Sequence, residues 1–408
     1  MAKKVDLPEP IIPNDSWKVV KLGQYVKILN GYPFDSSRFT NSNENTYPLI
    51  RIRDVVRGYT ETFTDEDCPD EYKIKKGEIL IGMDGDFNIS RWKSDFGLLN
   101  QRVCKISTVS KDLDEKFLFY YLPIPLKLIN DATPSVTVKH LSSTSLQELH
   151  FPLPTLAEQQ RIVNRIESMF AKLDEAKEKA QNVVDGFETR KAAILHKAFT
   201  GELKIENEKL KEEDWEEKTF SELGTSNLGK MLDAKKNTGD DVLYLRNVNV
   251  RWFEFDLSDL LTMKAKPDEI KKLSVKKGDL YICEGGEPGR CAVWKDEDSN
   301  IIFQKAVHRF RPNENVSCDF MAYALYYLNL TGKLSEYFTG TTIKHLTGQS
   351  LAKIRIKIPP FNCQLSIVNF LDIIIEKENK AKQAAEAVLG QIDLLKKSIL
   401  ARAFRGEL

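Results

Sequence analysis

Lys197-Ala198-Phe199-Thr200-Gly201-Glu202-Leu203 returns 205 residues later as Arg402-Ala403-Phe404-Arg405-Gly406-Glu407-Leu408. The same offset relates residues 137–141, which end in Lys-His-Leu, to residues 342–346. Towards the start of each half the offset falls, reaching 198 between Trp17 and Trp215, and small loop insertions explain this drift. Repeats of roughly 200 residues exceed the about 20–50 of a solenoid. The chain therefore consists of two copies of one module.

Each copy ends in a long amphipathic stretch with apolar residues in alternating steps of four and three, the heptad spacing of a coiled coil. One charged residue interrupts each seam, Arg190 in the first and Glu378 in the second. The predicted seams are Ile162, Ile166, Met169, Leu173, Ala176, Ala180, Val183, Phe187, Arg190 and Ile194, and Ile367, Leu371, Ile374, Glu378, Ala381, Ala385, Val388, Ile392, Leu395 and Ile399.

An antiparallel pairing of these two helices brings Arg190 opposite Glu378 and Leu173 opposite Leu395. It also sets each seam alanine against a large residue, which fills a core at native density. A parallel pairing would stack alanine on alanine and separate the two charges. We therefore predict one antiparallel coiled coil, roughly 60 Å long for about 40 residues. The alternative is that each helix packs only on its own globular domain.

The remainder of each copy mixes strand-like runs, such as residues 47–56 and 78–81, with helical patches such as 113–122. The predicted fold class is α+β, with two mixed α/β domains related by internal duplication and by an approximate two-fold axis. The predicted boundaries are an N-terminal extension at 1–16, a first domain at 17–155, a central helix at 156–203, a linker at 204–214, a second domain at 215–360 and a C-terminal helix at 361–408.

Composition excludes several functional classes. The 60 basic residues balance 60 acidic ones, so any binding to nucleic acid must use local patches rather than net charge. No run approaches the about 18 apolar residues of a membrane span, and no signal peptide is visible. The 6 cysteines and 5 histidines show no metal-site spacing. We expect a cytoplasmic protein with reduced thiols, no metal and no membrane contact.

The predicted two-fold geometry points to DNA. Duplex DNA has two-fold axes through its backbone, so such a body can present equivalent faces to two separated stretches of one duplex. Because the two domains differ in sequence, the two stretches should differ as well. The geometry therefore predicts a bipartite, non-palindromic target.

From Trp17 to Leu408, the chain resembles the specificity subunits of type I DNA restriction-modification systems. The resemblance rests on elements that recur in the same order in both halves, each weak by itself. They are Gly31–Ser36 (poorly matched by 227–230), a strand with arginine (49–52; 244–247), Lys-Gly-Glu/Asp (76–78; 277–279), a glutamine strand (100–103; 303–306), Lys-His-Leu, and Leu-Pro-x-Leu-x-Glu-Gln-Gln-Arg-Ile-Val, intact at 153–163 and degraded at 358–368.

This resemblance implies a non-catalytic subunit with two target-recognition domains spaced by a helical rod. Such a subunit binds double-stranded DNA and docks two copies of an adenine-N6 methylation subunit, which carry S-adenosylmethionine. It also recruits ATP-driven restriction subunits in the full complex. No cofactor is expected in this chain, whereas S-adenosylmethionine, ATP and Mg²⁺ are expected in its partners.

Sequence reading of DNA needs Arg, Lys, Asn or Gln at base edges and Lys or Arg at phosphates. The candidates in the first domain are Tyr32, Arg51, Arg53, Asn88, Arg91, Lys139 and His140. Those in the second are Lys235, Lys236, Arg246, Asn247, Arg251, Arg290, Lys344 and His345. For any one of them, a surface salt bridge is as good an explanation as a DNA contact. Gln101 and Gln304 are expected to be buried in strands.

Four short segments resemble catalytic motifs. Because of them, a self-contained DNA methyltransferase or nuclease remains the alternative function. Residues 224–231 have phosphate-loop spacing but end in Met231, which lacks the hydroxyl that Mg²⁺ requires. Ile358-Pro359-Pro360-Phe361 lacks the polar first residue of an amino-methyltransferase loop. Residues 284–289 are expected to be a tight loop rather than a cofactor loop, and the acidic strings that follow Pro69 and Pro267 are expected to be helix starts. A coiled-coil scaffold without DNA affinity is a third possibility.

Overall fold

The structure is a computed structural model that describes residues 7–10, 13, 17–133, 139–205, 208–209, 215–233, 235 and 237–408. The chain folds as two compact units. Unit 1 consists of residues 1–180 and 387–408, and unit 2 consists of residues 181–386. Each unit contains one globular domain and a part of both long helices.

Unit 1 mixes short strands and helices in chain order. Its strands are β1 (Lys18–Lys21), β2 (Val26–Asn30), β3 (Phe39–Thr40), β4 (Tyr47–Ile50), β5 (Phe63–Thr64), β6 (Lys73–Lys75), β7 (Ile79–Gly82), β8 (Ile89–Arg91), β9 (Phe96–Leu99), β10 (Val103–Thr108) and β11 (His150–Leu153). Its helices are α1 (Ile52–Arg57), α2 (Glu115–Tyr121), α3 (Pro123–Ala132), α4 (Ser143–Glu148) and the start of α5 (Leu156–Asp185).

Two sheets form the body of unit 1, in the strand orders β2-β10-β7-β8 and β3-β5-β4-β9-β6, and β1 pairs with β11 beside them. Every residue of β7 is buried. Ile79 and Ile81 pack into one apolar cluster and Leu80 packs into another, as the alternation of side chains along a strand requires. The central strand thus connects two cores.

The strand expected at residues 47–56 ends at Ile50, and α1 follows it. The Asp54 carboxylate accepts a hydrogen bond from Arg51 N–H at 2.9 Å, which satisfies a backbone donor at the start of the helix. Gly58 ends the helix with a φ of 79°, a conformation that glycine adopts at low cost. The capping interactions therefore favour a helix after residue 50, although the apolar pattern predicted that the strand would continue.

Unit 2 repeats this arrangement. Its helices are α6 (Phe187–Phe199), α7 (Phe220–Leu223), α8 (Pro267–Leu273), α9 (Cys318–Leu330), α10 (Gly348–Lys353) and the start of α11 (Phe361–Ala403). Its strands are β12 (Lys204–Ile205), β13 (Glu208–Lys209), β14 (Glu216–Thr219), β15 (Gly224–Leu228), β16 (Asp240–Leu245), β17 (Leu261–Ala265), β18 (Leu280–Cys283), β19 (Cys291–Val293), β20 (Ile302–Phe303), β21 (Val307–Pro312) and β22 (Arg355–Ile358).

The sheets of unit 2 match those of unit 1 in order. The four-stranded sheet β15-β21-β18-β19 corresponds to β2-β10-β7-β8, and the pair β14-β22 corresponds to β1-β11. The β17-β16-β20 sheet is the smaller relative of the five-stranded sheet. Strand β18 is fully buried, like β7. The α+β class and the internal duplication predicted from the sequence are confirmed.

A buried glutamine at the start of each long helix fixes the neighbouring helix in the same way in both units. In unit 1, Gln159 Oε1 accepts from Asp114 N–H at 2.8 Å, and its amide donates to the carbonyls of Asp112 and Pro154. In unit 2, Gln364 Oε1 accepts from Ser317 N–H at 2.9 Å, and its amide donates to the carbonyls of Asn315 and Pro359. Each glutamine thus joins its long helix to the start of α2 or α9.

Within each unit, the segments of the two long helices run antiparallel. In unit 1, Arg161 Nη1 donates to Leu408 O at 3.2 Å and Lys396 Nζ lies 2.5 Å from Asp174 Oδ1. In unit 2, Lys382 Nζ lies 4.7 Å from the ring centre of Phe187, and Arg190 Nε donates to Glu378 Oε2 at 2.8 Å. In both units the partner number falls as the residue number rises, so the antiparallel pairing is confirmed.

The seam of α11 differs from the predicted one. Ala381, Val388 and Leu395 are exposed, and Leu395 retains 46% of its accessible surface. The layer expected between Leu173 and Leu395 is therefore not buried. The neighbouring residues Lys382 and Lys396 face the other helix instead of Ala381 and Leu395. Their ammonium groups lie over the rings of Phe187 and Phe170. Lysine can do this because its apolar stem covers an aromatic face while its charge stays in water.

Arg190 also forms a hydrogen bond across the interruption between α5 and α6. Gly186 separates the two helices, and Arg190 Nη2 donates to the carbonyl of Val183 at 2.9 Å. A Cβ at position 186 would lie 2.4 Å from Arg190 Nη1, so glycine provides the space for this side chain. The guanidinium therefore contacts both the end of α5, through Val183, and Glu378 on α11.

We expect Glu378→Arg to lower the free energy of unfolding by about 2 kcal/mol, because it places two partly buried cations together. The double change with Arg190→Glu should recover about half of that loss, since it restores the ion pair but not the bond to Val183. Chemical denaturation of the full chain measures both. Glu376→Arg, which reverses a mostly exposed i,i+4 pair with Lys380, is the matched control and should cost about 0.5 kcal/mol. Equal losses in single and double variants would contradict the pairing.

Candidate nucleic-acid interface

Unit 1 carries a polar cleft of about 560 Å³. It forms where α1 begins after β4, next to the turn that follows β7 and the turn between β9 and β10. Its lining includes Ser36, Phe39, Arg51, Ile52, Arg53, Val56, Asp84, Gly85, Asp86, Asn88, Asn100, Gln101 and Arg102. The structure thus brings three of the predicted DNA-contact residues together: Arg51, Arg53 and Asn88. Three arginines and two aspartates line this cleft, so it carries charges of both signs rather than a uniformly basic surface.

Asp84 organises one side of the cleft. Its carboxylate accepts from Arg102 Nη1 at 3.1 Å and lies 2.6 Å from His140 Nδ1. The backbone N–H of Leu141 donates to Met83 O at 2.7 Å, which holds the Lys-His-Leu segment against the turn after β7. This contact explains why the segment recurs in both copies: it closes the loop beside the cleft.

Gln101 and Arg102 are cleft residues that the sequence analysis missed. Gln101 was expected to be buried in a strand, but β9 ends at Leu99 and Gln101 is exposed in a turn. Arg102 has a φ of 72°, so the polar run Asn100-Gln101-Arg102 is a turn signal that could have been read. Asn100 Oδ1 is buried without a hydrogen-bond partner among the described residues. Because buried acceptors are nearly always hydrogen-bonded, this oxygen is available to accept a bond from a ligand or a water molecule.

The remaining candidates of unit 1 are engaged within the fold. Arg91 Nη1 donates to Gly77 O and to Glu115 Oε1, both at 2.8 Å. Lys139 Nζ donates to Asn130 O at 2.7 Å. The Tyr32 ring packs edge-on against Phe34 and Tyr72. These contacts give each of the three a structural role.

In unit 2 the equivalent region is the turn Gly285–Gly286, which follows β18. Asn247 Nδ2 donates to Gly285 O at 3.1 Å, and Arg290 Nη2 donates to Asn247 O at 2.9 Å. A Cβ on Gly285 would lie 3.1 Å from His345 Nδ1. Three predicted residues, Asn247, Arg290 and His345, therefore meet around this turn. Arg290 is largely buried and its Nε has no partner among the described residues.

The other candidates of unit 2 differ in how freely they face solvent. Arg246 Nη2 is paired with Asp259 Oδ2 at 2.7 Å, whereas Arg251 lies 3.9 Å from Asp256. Lys235 and Lys344 are exposed. Lys236 lies outside the described residues. Gln304, expected in a strand core, is partly buried and forms a bridge with Lys230 just after β20.

His308 ties the Lys-His-Leu segment of unit 2 to the four-stranded sheet. Its Nε2 lies 2.8 Å from Leu346 O, and because a carbonyl oxygen only accepts, the ring donates this hydrogen bond. Burial lowers the pKa of His308 from the ordinary value of 6.5, an effect that the Leu346 carbonyl and the Glu284 charge oppose. The folded state therefore disfavours the protonated ring.

We expect the stability of the full chain to fall as the pH drops below about 6.5, because the unfolded state then binds a proton that folded His308 resists. Above that pH the contribution of His308 is fully present. The free energy of unfolding of the wild type should thus decline more between pH 7.5 and 5.5 than that of His308→Gln, which keeps a donor but does not titrate. Parallel declines in the two proteins would contradict this role.

The strings that resemble catalytic motifs do not form catalytic sites. Residues 224–228 are strand β15, not a phosphate loop. Ile358 is a buried strand end, and Gly286 and Gly289 have φ values of 81° and 90° in a tight turn. Pro267 begins α8. Burial raises the pKa of the Cys283 thiol to about 11, which keeps it in the unreactive form.

Among the described residues, no group of His, Cys, Asp or Glu side chains could hold a metal ion. No helix in the described part of the chain is long and apolar enough to cross a membrane.

Comparisons with known proteins agree with this architecture. The type I restriction enzyme EcoBI specificity subunit of Escherichia coli is 31% identical over 97% of this chain and 87% of its own length. The type I restriction enzyme MjaVIII specificity subunit of Methanocaldococcus jannaschii is 24% identical over 97% and 94%. Both alignments extend through both copies of the module.

Among solved structures, the HsdS subunit from Thermoanaerobacter tengcongensis shares the fold with a TM-score of 0.63 and 18% identity, covering 97% of this chain and 98% of that one. The family model of the type I restriction modification DNA specificity domain matches residues 14–184 and 212–388, one match for each copy. The chain therefore belongs to the type I restriction-modification DNA specificity family.

Proposed function

We propose that this chain is the sequence-specific DNA-binding subunit of a type I restriction-modification complex, and that it is itself non-catalytic. The observation that carries this proposal is the polar cleft of unit 1, where Arg53 of α1 lies beside the loop residues Asn88 and Gln101 on a double-sheet body. Amide and guanidinium groups are the side chains that read base edges in the major groove. The turn at Gly285–Gly286 is the corresponding reading site in unit 2.

The two sites support a bipartite target. The cleft of unit 1 has an exposed Asn88 where unit 2 has the largely buried Arg290, since their carbonyls accept the equivalent bonds from Gly82 N–H and Cys283 N–H. It has an exposed Gln101 where unit 2 has a partly buried Gln304. Because the same position in the fold carries different side chains, the two domains read different sequences. In this proposal the target-recognition domains are residues 17–155 and 215–360, and the exposed residues Arg53, Arg251, Lys235 and Lys344 contact phosphates or base edges.

The partners follow from membership of the family. The proposed assembly contains two methylation subunits, one for each half of the duplicated chain, and restriction subunits in the complete enzyme. S-adenosylmethionine, ATP and Mg²⁺ belong to these partners and not to this chain. A solved chain of similar fold, from work on complex assembly and conformational transition of the type I restriction-modification system, covers 99% of this chain with a TM-score of 0.61, which supports the shared fold.

The proposal is tested by sequencing the methylated bases of cells with and without this chain, with the partner subunits present in both. We expect adenine methylation in one asymmetric, bipartite motif that disappears when the chain is removed. Methylation that persists without the chain would reject the proposal. Methyl transfer by the isolated chain would instead identify a self-contained methyltransferase.

A further inference from the structure

The duplication gives each unit a groove at the same place in its fold. Groove A in unit 1 is lined by Tyr121, Ile124, Pro125 and Phe404, among others. Groove B in unit 2 is lined by Ala324, Tyr327, Leu328 and Phe199, among others. These four residues of groove B are the repeat counterparts of the four of groove A, in the same order. The two buried glutamines fix this correspondence, since Gln159 holds Asp114 N–H as Gln364 holds Ser317 N–H.

Groove A is covered by a segment of the chain itself. Pro8, Glu9 and Pro10 form part of its wall, and Leu7 packs on the same apolar cluster as Phe404. Glu9 Oε2 lies 3.9 Å from His150 Nδ1. An extended peptide with an acidic residue between two prolines is therefore the ligand that groove A accepts.

Groove B offers a more basic version of the same surface. Arg355 is the repeat counterpart of His150, and Lys333 and Lys357 also line the groove, together with Glu217 and Glu336. Arg355 Nη1 lies 3.1 Å from Glu217 Oε2, and both side chains are more than half exposed. A carboxylate that arrives where Glu9 lies in groove A would therefore meet a permanent cation in place of an imidazole.

The floor of groove B suits proline. The rings of Phe199 and Tyr327 stack at a centroid distance of 5.2 Å, and Tyr337 also lines the groove. Aromatic-lined grooves bind proline-rich segments because the extended polyproline conformation loses little entropy on binding. The groove has a volume of about 320 Å³, which fits a few residues of such a segment.

We propose that groove B docks an extended, acidic, proline-containing segment of a partner protein. The proposal goes beyond the DNA-binding function and does not depend on it. The linker residues that correspond to Pro8–Pro10 are 206–208, which contain no proline; Glu206 and Asn207 lie outside the described residues. If the linker fills groove B, an added peptide will not bind there, so the test below separates the two occupants.

The test measures binding of a fluorescein-labelled peptide, Val-Asp-Leu-Pro-Glu-Pro-Ile-Ile, to the full chain by fluorescence anisotropy. We expect saturable binding that Arg355→Glu weakens by about fivefold, the effect of replacing an exposed attraction with repulsion. Lys353→Glu makes the same charge change at an exposed residue outside the groove and should leave the affinity unchanged. A peptide with lysine in place of its glutamate should bind Arg355→Glu better than the wild type.

Three outcomes would overturn the proposal. They are the absence of saturable binding, equal losses in Arg355→Glu and Lys353→Glu, and a loss caused by His150→Glu instead of Arg355→Glu. The last outcome would mean that the peptide displaces residues 7–10 from groove A rather than occupying groove B.

Discussion

Gln364→Leu is expected to lower the free energy of unfolding by about 4 kcal/mol, because it leaves three polar groups without their partner, and two of these bonds are fully buried. These groups are the N–H of Ser317 and the carbonyls of Asn315 and Pro359. Leucine nearly preserves the side-chain volume, so the loss reports hydrogen bonding rather than a cavity. Gln159→Leu should have an effect of similar size in unit 1, where the same three bonds form.

Chemical denaturation of the full chain, followed by circular dichroism, measures this loss. Gln391→Leu is the matched control, since it makes the same change at an exposed position of the same helix and should stay within about 0.5 kcal/mol of the wild type. A loss below about 1 kcal/mol for Gln364→Leu would show that water or a shifted backbone satisfies these groups.

The double change Asn88→Ala with Gln101→Ala is expected to weaken binding to the specific DNA target by about 100-fold. Each base-edge contact discriminates by about 1–3 kcal/mol, and both side chains are exposed in the unit 1 cleft. Neither side chain donates to or accepts from another described residue, so their removal should leave the stability of the chain unchanged.

This binding is measured with the assembled methylation complex, at fixed salt, on the motif that sequencing of methylated bases defines. Gln160→Ala with Asn164→Ala removes the same two amides from exposed positions of α5 and serves as the control. Affinity for unrelated DNA should be nearly the same in both variants, because phosphate contacts dominate non-specific binding. A loss under threefold, or an equal loss on unrelated DNA, would remove Asn88 and Gln101 from the reading site.

The helix pair shows how far pattern reasoning reaches. Arg190 and Glu378 could be matched from the sequence because each is the one charge in an apolar seam, and a charge in a seam needs a partner. The positions of Lys382 and Lys396 could not be predicted, because each lysine lies over an aromatic ring of the other helix. That information depends on which residue of the other helix lies opposite.

The candidate contacts show the same division. Arg51, Arg53 and Asn88 are polar residues in loops or at strand ends by sequence pattern, and the structure places them in one cleft, where Arg53 also donates to Thr62 Oγ1 at 2.9 Å. Arg91 and Lys139 satisfied the same criterion and are bound within the fold. Composition cannot separate these cases, since the free energy of an exposed cation depends on whether an acceptor lies within reach.

The sequence by itself determined the duplication, the α+β class and the antiparallel helices, because repeated spacing and heptad periodicity are properties of the chain's order. It also indicated the family, through motifs that resemble those of its members. Only the tertiary structure decided which polar residues share a cleft, why Gln159 and Gln364 are buried, and which positions of α11 face its partner. Those outcomes depend on distances between segments far apart in sequence, and a hydrogen bond or a packed contact exists only where folding brings the two groups together.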